Sequence, residues 1–275
     1  MDVSIVITTK NEEKHIGNCL KAVAAQRWAR EQMEIIVVDN GSADATKKIA
    51  SRYADNVYNM GGERSTQRNF GIDRATGKYV LFLDADMVLS EQIIAECVQK
   101  CENEGFIALY IPEKITGRGF WIKVRDFERS FYNATVIDCV RFVRRDKFLE
   151  AGGFDEHLIG PEDWDFDRRI RKLGKIGEIQ TPLYHNEGKF DFERYLEKKN
   201  YYSKTFIKYI EKWGRNDEII KKQLGFAYRY WGVFTEKGKF KRLLAHPGLA
   251  LGMYFLKVLV GLQYVKYQWT VKRAS

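Results

Sequence analysis

Short, largely apolar runs alternate with amphipathic segments through the first 110 residues of the chain. The runs lie at 3–8, 35–38, 56–58 and 79–83. An unbroken run such as 79–83 is typical of a strand that is buried on both faces of a parallel sheet. Helical stripes separate the runs, and the first is formed by Ile16, Leu20 and Val23. The alternation predicts a parallel sheet with right-handed helical crossovers.

Two helix starts are predicted from polar positions. Asn11 is followed by two glutamates, so it is predicted to be the N-cap of the first helix. Pro161 fits the start of a later helix, whose apolar stripe is formed by Phe166, Ile170 and Leu173. Glu162 and Asp163 then fall in the first turn, where acidic side chains also have the purely structural role of complementing the helix dipole.

The pattern changes after residue 189. Residues 190–210 are dense in lysine and tyrosine and are predicted to form one long helix. The last apolar run, 247–265, begins at a proline and is interrupted by Lys257 and Gln263. A membrane-spanning helix needs about 20 largely apolar residues, so this run is predicted to lie in a membrane interface instead. A helix packed on the preceding domain or a dimer interface stays an open alternative.

Composition narrows the class of protein. A chain of 275 residues with 45% hydrophobic and 30% charged residues is typical of one folded domain, or of one domain with an appendage. The net charge of +9 favours anionic partners such as nucleotide phosphates, nucleic acid or acidic membranes. Four scattered cysteines, and a start without a basic and apolar leader, predict reduced thiols and a cytoplasmic location.

Two carboxylates, Asp84 and Asp86, end the most apolar strand. They are one residue apart, so both can address one bound ion where the chain leaves the sheet. Ligands of open α/β sheets bind at this carboxyl edge, and Mg²⁺ or Mn²⁺ is held by carboxylates together with substrate phosphates. The pair therefore predicts a metal–phosphate site, and the alternative is a polar turn with no ligand.

Four segments, in order, resemble the family 2 glycosyltransferases of GT-A fold. They are residues 4–12 (SIVITTKNE), 36–44 (IVVDNGSAD), 67–71 (QRNFG) and 82–86 (FLDAD). Two downstream segments are similar to the family's acceptor half, namely 148–155 (FLEAGGFD) and 160–165 (GPEDWD). Each segment is a weak signal by itself, but their order along the chain makes the resemblance specific.

The resemblance implies an α/β fold, specifically a GT-A type Rossmann-like fold with a mostly parallel central sheet, followed by a helical C-terminal extension. It implies a catalytic domain at 1–189, with a nucleotide-sugar-binding half at 1–110 and an acceptor half at 111–189. Residues 190–275 are then a basic, aromatic extension that is predicted to associate with a membrane.

The implied reaction is metal-dependent, inverting transfer of a sugar from a UDP- or GDP-linked donor. The acceptor is predicted to be a hydroxyl or phosphate of a glycan or of a polyprenyl-phosphate-linked lipid, in glycan or cell-envelope synthesis on the cytoplasmic face of the membrane. A homo-oligomer is left open, and no nucleic-acid partner is implied.

The resemblance also assigns residue roles. Asp163 is the expected general base, Glu162 orients it or the acceptor, and Trp164 stacks on a sugar ring. The expected ligands of Mn²⁺ or Mg²⁺ are Asp86, Asp84 and His185. The expected nucleotide-sugar site consists of Thr8, Thr9, Lys10, Asn11, Glu12, Asp39, Gly41, Ser42, Arg68, Asp84, Ala85 and Asp86.

Two other functions compete with this hypothesis. A sugar nucleotidyltransferase would need a glycine-rich, basic loop after the first strand, whereas residues 8–13 are partly acidic and lack glycine. A non-catalytic protein that binds membrane or nucleic acid on a glycosyltransferase-like scaffold would explain the basic charge. That alternative gives the carboxylates no role.

Overall fold

The computed structural model describes residues 1–274, with the side chains of residues 1–263. Its strands are β1 (Val3–Thr9), β2 (Met33–Asp39), β3 (Asn56–Asn59), β4 (Tyr79–Asp84), β5 (Met87–Leu89), β6 (Ala108–Tyr110), β7 (Glu113–Arg118), β8 (Phe142–Arg144), β9 (Ile176–Glu178) and β10 (Leu183–Lys189). Seven of them form a sheet in the order β3-β2-β1-β4-β8-β6-β9, and three form a small sheet in the order β5-β10-β7. In the larger sheet β8 runs antiparallel to its neighbours, while the other pairings are parallel. The predicted mostly parallel sheet is confirmed.

The helices alternate with strands in the first half and follow one another in the last third. They are α1 (Ile16–Ala24), α2 (Thr46–Ala50), α3 (Arg64–Arg74), α4 (Ile93–Glu104), α5 (Phe120–Arg129), α6 (Arg145–Glu150), α7 (Glu162–Ile170), α8 (Phe192–Ser203), α9 (Phe206–Trp213), α10 (Glu218–Leu224), α11 (Val233–Thr235), α12 (Phe240–Ala245) and α13 (Pro247–Ala274). Single 3₁₀ turns lie at Arg30–Gln32 and Glu236–Gly238, and a π turn lies at Tyr228–Gly232. The predicted helical C-terminal region is confirmed.

The parallel register brings the polar strand ends together. In the ladder β1 lies between β2 and β4, so that Thr9 pairs with Asp39 and Thr8 pairs with Asp84. Helix α3 packs directly on β1, because a Cβ at Gly71 would lie only 2.5 Å from a methyl carbon of Val6. Any larger residue at position 71 would push α3 off the sheet, and with it the polar side chains that α3 carries.

The predicted start of the first helix is wrong. Helix α1 begins at Ile16, and Asn11 lies in the preceding loop with a φ of +53°. The side-chain oxygen of Asn11 accepts a hydrogen bond from the Ala43 amide at 2.9 Å instead of capping a helix. Asparagine tolerates this left-handed conformation better than most residues. The loop after β1 is therefore fastened to the loop after β2.

The chain divides into two compact units. The first consists of Met1–Lys114, Asp138–Glu156 and Glu162–Asn186, and the second of Ile115–Ile137, His157–Pro161 and Glu187–Ser275. The first unit has 23 basic and 27 acidic residues, a net charge of −4, whereas the second has 23 basic and 10 acidic residues, a net charge of +13. The excess positive charge of the chain thus lies entirely in the second unit.

The predicted single helix over 190–210 is also wrong, since α8 ends at Ser203 and α9 begins at Phe206. The break follows from Thr205, whose hydroxyl donates to the Ile159 carbonyl at 2.9 Å and accepts from the Ile159 amide at 2.8 Å. A side chain that satisfies a distant backbone in this way competes with helix continuation.

Helix α13 packs in the second unit against α5 and α8. Met253 and Leu256 on its inner face are fully buried, and a Cβ at Gly252 would lie 2.8 Å from a methyl carbon of Val124. Among the described residues, no helix combines the length and the apolar character that crossing a membrane requires.

Candidate functional site

The two loops that follow β1 and β2 form one hydrogen-bonded frame. The Asn11 amide donates to the Ser42 hydroxyl at 2.8 Å, and the Glu12 amide donates to the Thr46 hydroxyl at 2.8 Å. Asp39, which is fully buried, accepts from both the amide and the hydroxyl of Ser42. These bonds fix the predicted nucleotide-binding residues at one edge of the sheet.

The remaining predicted residues of this edge differ in exposure. Thr8 and Thr9 are each 4% exposed, and the Thr9 hydroxyl is a buried group without a hydrogen-bond partner. Lys10 is exposed. Gly41 has a φ of +63°, and its amide donates to the Asn59 side chain at 3.1 Å. A buried polar atom without a partner is costly in the folded chain, so Thr9 marks a place where a ligand can supply one.

A buried guanidinium joins the two predicted halves of the site. Arg68 of α3 is 1% exposed; its Nη2 donates to Asp84 Oδ1 at 3.0 Å, and its Nη1 donates to Asp163 Oδ1 at 2.9 Å. The same group lies over the rings of Phe82 and Phe154, with its carbon 5.3 and 5.2 Å from their centres. Asp84, a predicted metal ligand, and Asp163, the predicted base, are thus held by one guanidinium group.

These ion pairs control the charge of Asp84. Burial raises its pKa, but the charges of Arg68 and Arg64 outweigh that effect and hold the pKa well below the usual range of a carboxyl group. Burial likewise disfavours charged Arg68, and the carboxylates of Asp84 and Asp163 raise its pKa above the ordinary value. Asp84 and Arg68 are therefore both charged across the physiological pH range.

A second arginine of α3 links the same groups. Arg64 Nη1 lies 3.4 Å from Asp84 Oδ2, and its Nη2 lies 3.3 Å from Glu162 Oε1. Glu162 is 2% exposed, and its Oε2 is a buried atom without a hydrogen-bond partner. Burial, together with the nearby charge of Asp163, raises the pKa of Glu162 to about 7.

Asp86 lies in the turn between β4 and β5, where it contacts His185. The Nε2 of His185 lies 3.0 Å from Asp86 Oδ2, and its Nδ1 lies 2.8 Å from Glu113 Oε1. Burial lowers the pKa of His185, but its hydrogen bonds with Asp86 and Glu113 raise it to about 10. The other oxygen of Asp86, Oδ1, is buried and without a hydrogen-bond partner.

The donor atoms here suit a hard divalent cation. The orphaned Oδ1 of Asp86 is the carboxylate oxygen that Mg²⁺ and Mn²⁺ prefer, whereas both oxygens of Asp84 are engaged by arginines. Within the described part of the chain, no three or more His, Cys, Asp and Glu side chains are grouped so as to hold a metal. The residues therefore fit a cation that is held by Asp86 and otherwise by the phosphate oxygens of a ligand.

Two contributors to this site are not predicted by the sequence pattern. Arg64 bridges Asp84 and Glu162, and its spacing of four residues from Arg68 on α3 is the one signal for it. Glu113 orients His185 from a position 72 residues away, and no local pattern indicates that contact. Trp164 is half-buried beside Asp163 on α7, where its predicted stacking on a sugar stays a prediction.

Replacing Arg68 with Leu is expected to lower the free energy of unfolding by about 3 kcal/mol, because both carboxylates lose their buried partner. Urea denaturation followed by circular dichroism measures this loss. Arg74→Leu, on the exposed end of the same helix, is the matched control and should cost less than about 1 kcal/mol. Equal losses in the two variants would show that the bridge does not stabilise the fold.

Glu162 should make stability depend on pH. The pKa of Glu162 is about 7 in the folded chain, above the ordinary value of a glutamate in the unfolded chain. At pH values between these two pKa values the folded chain binds more protons than the unfolded chain, so the free energy of unfolding falls as the pH rises. Glutamine has no such charge. The stability of Glu162→Gln relative to the wild type is therefore expected to increase by about 2 kcal/mol from about pH 5 to about pH 8. Urea denaturation at both pH values tests this, with Glu150→Gln as an exposed control that should follow the wild type.

Comparison with known proteins identifies the family to which this arrangement belongs. Residues 4–152 match the profile of glycosyl transferase family 2, which is more than half of the chain. Glycosyltransferase AglE of Haloferax volcanii is 29% identical over 188 residues, which cover 62% of this chain and 62% of that protein. The poly(ribitol-phosphate) beta-N-acetylglucosaminyltransferase TarS of Staphylococcus aureus is 29% identical over 128 residues, 43% of this chain and 22% of that protein. The chain thus spans less than two thirds of each of these relatives.

Solved structures show the same fold. The mannosyltransferase PcManGT of Pyrobaculum calidifontis, in complex with GDP-Man and Mn²⁺, superposes with a TM-score of 0.63 at 18% identity, over 95% of this chain and 84% of that one. A TarS fragment of S. aureus in complex with UDP-GlcNAc gives a TM-score of 0.59 at 20% identity, over 90% of this chain and 78% of that one. The predicted GT-A type fold is confirmed.

Proposed function

Because the chain belongs to glycosyl transferase family 2, we propose that it transfers a sugar from a UDP- or GDP-linked donor to an acceptor hydroxyl or phosphate, with inversion at the anomeric carbon. One observation carries the proposal. Arg68 holds Asp84, at the end of the central strand, and Asp163, in the first turn of α7, in a single buried cluster. In the proposed reaction Asp84 is the donor-side carboxylate and Asp163 the acceptor-side one, and their closeness supports the proposal because a direct displacement needs both groups at one site.

Asp163 is the proposed general base. Its side chain is 30% exposed, so an acceptor hydroxyl can reach it, and Arg68 holds its Oδ1. The Oε2 atom of neighbouring Glu162 has no hydrogen-bond partner, and we propose that it accepts a hydrogen bond from a hydroxyl of the sugar acceptor. A carboxylate held in this way can take the proton of the attacking hydroxyl as the bond to the sugar forms.

Asp86 is the proposed ligand of Mn²⁺ or Mg²⁺ through its free Oδ1, with Asp84 and His185 beside it. When bound there, a divalent cation would stabilise the negative charge on the leaving nucleoside diphosphate. Arg64 and Arg68 keep Asp84 ionised, and Thr9 and Asp39, at the carboxyl ends of β1 and β2, are the proposed contacts of the nucleoside. PcManGT, solved with GDP-Man and Mn²⁺, supports both the donor class and the metal.

We further propose peripheral contact with an anionic membrane through the second unit. Leu251, Phe255, Val258 and Leu262 on α13 are 72%, 49%, 51% and 62% exposed. Their spacing places all four on one face of the helix, away from the buried Met253 and Leu256. An apolar stripe on a unit with a net charge of +13 matches the chemistry of a membrane interface. The proposed acceptor is accordingly a glycan or polyprenyl-phosphate-linked molecule at the cytoplasmic face.

The membrane proposal predicts that Leu251→Asp weakens binding to vesicles of phosphatidylcholine and phosphatidylglycerol by at least about tenfold, since a charge replaces an apolar group at the interface. Flotation of the full chain with the vesicles measures this. Asn216→Asp adds the same charge at an exposed polar position of the unit and should bind as the wild type does. If both variants lost the same amount of vesicle binding, the binding would be due to non-specific charge attraction and not to the apolar face of α13.

The transfer proposal is tested by nucleoside diphosphate release. The full chain is incubated with UDP- and GDP-linked sugars, Mn²⁺ and a membrane lipid extract as the source of acceptors. Release from one donor class that stops on addition of EDTA is the expected result. A folded protein that releases neither nucleotide from any donor would favour the non-catalytic scaffold instead.

A further inference from the structure

Four ionisable side chains form a hydrogen-bonded row inside the first unit. Arg141 Nη2 donates to Glu113 Oε2 at 3.0 Å, and the other oxygen of Glu113, Oε1, lies 2.8 Å from His185 Nδ1. On the far side of the ring, His185 Nε2 lies 3.0 Å from Asp86 Oδ2. We call these four residues the histidine row. Each nitrogen of its imidazole ring faces a different carboxylate.

Exposure to solvent differs between the two ends of the histidine row. The side chains of Glu113, Arg141 and His185 are 7%, 13% and 14% exposed, whereas that of Asp86 is 26% exposed. The row therefore opens toward Asp86, whose Oδ1 has no hydrogen-bond partner. Glu113 is separated from Asp86 by the width of the imidazole ring, so it acts on an ion at Asp86 only through His185.

Backbone pairing fixes the position of His185 but not the rotation of its ring. His185 pairs with Met87 in the ladder between β5 and β10, and the next amide, that of Asn186, donates to the Asp86 carbonyl at 3.1 Å. The last side-chain torsion of histidine is broad and roughly two-fold. A half-turn of the ring would put carbon atoms where both nitrogens now lie and would break both hydrogen bonds. The two carboxylates therefore select one of the two ring orientations.

Glu113 also determines which ring nitrogen carries the proton when His185 binds a cation. A carboxylate can only accept, so the Nδ1 atom that faces Glu113 must be the donor. Histidines that bind metals usually donate their second ring N–H to a carboxylate or a carbonyl, and this contact fixes both the tautomer and the orientation of the ring. Nε2 is then the nitrogen whose lone pair can face a cation beside Asp86.

We propose that Glu113, held by Arg141, is a positioning residue for the divalent cation, because it turns Nε2 of His185 toward the cation site and keeps a proton on Nδ1. This inference rests on the proposed function, since it concerns the cation that we propose Asp86 binds. When the cation binds, it takes the place of the proton on Nε2, while the proton on Nδ1 stays in the hydrogen bond with Glu113. His185 thereby supplies a nitrogen ligand beside the free oxygen of Asp86.

The isosteric change Glu113→Gln is expected to reverse the tautomer of His185. A glutamine offers one oxygen that accepts and one NH₂ group that donates. The guanidinium of Arg141 can only donate, so it takes the amide oxygen, and the NH₂ group then faces Nδ1. Nδ1 must accept from that group, which moves the proton of the neutral ring to Nε2. The nitrogen lone pair is thus removed from the cation site, although the side chain keeps its size.

Electron paramagnetic resonance of the full chain with Mn²⁺, in the presence of UDP or GDP, measures the consequence. A nitrogen ligand of Mn²⁺ modulates the electron spin echo, so the wild type should show nitrogen modulation and His185→Gln should lose it. Glu113→Gln should lose it as well and should weaken Mn²⁺ binding about tenfold to a hundredfold. Binding of Mg²⁺, measured by competition, should weaken less, because Mg²⁺ prefers oxygen ligands.

The matched control is Glu34→Gln. Glu34 is another buried carboxylate of the first unit, 9% exposed, and it accepts hydrogen bonds from Ser4 and Thr76, outside the histidine row. The change removes the same charge from a similarly buried place. Nitrogen modulation and Mn²⁺ affinity should both stay at the wild-type level in this variant.

A second substitution separates positioning from a purely structural role. Arg141→Met removes the donor that holds the amide oxygen, so in the double variant with Glu113→Gln the glutamine can turn its oxygen to Nδ1. Nitrogen modulation is therefore expected to return in the double variant. A role of Glu113 in stability alone predicts instead that the second substitution adds to the loss. Urea unfolding curves of all variants separate a lost tautomer from a lost fold.

Three results would overturn the proposal, namely nitrogen modulation that persists in Glu113→Gln, an equal loss of Mn²⁺ affinity in Glu34→Gln, and wild-type Mn²⁺ binding without any nitrogen modulation. Each of them leaves the proposed function intact, because a transferase with an all-oxygen cation site still releases nucleoside diphosphate. Conversely, loss of the modulation in Glu113→Gln, in a chain that releases no nucleoside diphosphate from any donor, would preserve the role of Glu113 and contradict the transferase.

Discussion

Asp163→Asn is expected to lower the rate of sugar transfer about a thousandfold, because an amide cannot accept the proton of the acceptor hydroxyl. Asparagine keeps the size of the side chain. In the wild type Arg68 Nη1 donates to Asp163 Oδ1 at 2.9 Å, and the amide oxygen of asparagine can accept the same hydrogen bond. Nucleotide affinity should therefore change little, so the loss should fall on kcat. Nucleoside diphosphate release with and without acceptor measures it.

The control for this prediction is Asp146→Asn. Asp146 is an exposed aspartate of α6 that pairs with Arg144, and it loses the same charge without touching the site. Its turnover should match that of the wild type. Transfer by Asp163→Asn at more than about a tenth of the wild-type rate would show that a group other than Asp163 is the general base.

Asp86→Asn should reduce turnover about a hundredfold or more and should shift the Mn²⁺ concentration that is needed for half-maximal rate upward. The reason is the orphaned Oδ1, the carboxylate oxygen best placed for a cation, which loses its charge in the amide. A titration of donor turnover with Mn²⁺ measures both effects.

Asp73→Asn is the matched control for Asp86. It removes one carboxylate from the exposed end of α3, outside the site. A variant Asp86→Asn that needs no more Mn²⁺ than Asp73→Asn does would move the metal to Asp84 or His185. Activity that is indifferent to added metal and to EDTA would remove the metal from the reaction.

The sheet and its carboxyl edge could be predicted because their signals are local. The apolar run before Asp84 is long enough to be a strand, and parallel strands place their polar ends together whatever the details of packing. The loops that follow β1 and β2 begin at the same edge of the sheet for the same reason. The alternation of apolar runs and helical segments also predicts a helix between residues 58 and 79, where Arg68 lies.

The bridge made by Arg68 could not be predicted, because its partners lie 16 and 95 residues away in the chain. A polar residue on an amphipathic helix is normally exposed, and only the tertiary structure shows that this one is buried. The same holds for Asn69, whose side chain donates to the Phe154 carbonyl and accepts from its amide. A Cβ at Gly153 would lie 2.7 Å from the Asn69 oxygen, which explains the glycine at this position.

The two wrong helix boundaries share one physical cause. Asn11 and Thr205 each satisfy a distant backbone group with their side chains, Asn11 through Ala43 and Thr205 through Ile159. Short polar side chains compete with helical hydrogen bonding in this way. Periodicity gives the apolar face of a helix, but the partners that stop the helix come from elsewhere in the chain.

Calorimetric titration of the wild-type chain with UDP and with GDP, each in Mn²⁺ and in EDTA, examines the nucleotide site without needing an acceptor. We expect one of the two nucleotides to bind in Mn²⁺ and to bind at least about tenfold more weakly in EDTA. Binding that EDTA does not change would contradict the metal assignment to Asp86. Failure of both nucleotides to bind under either condition would contradict the proposal that this chain is a nucleotide-sugar-dependent glycosyltransferase.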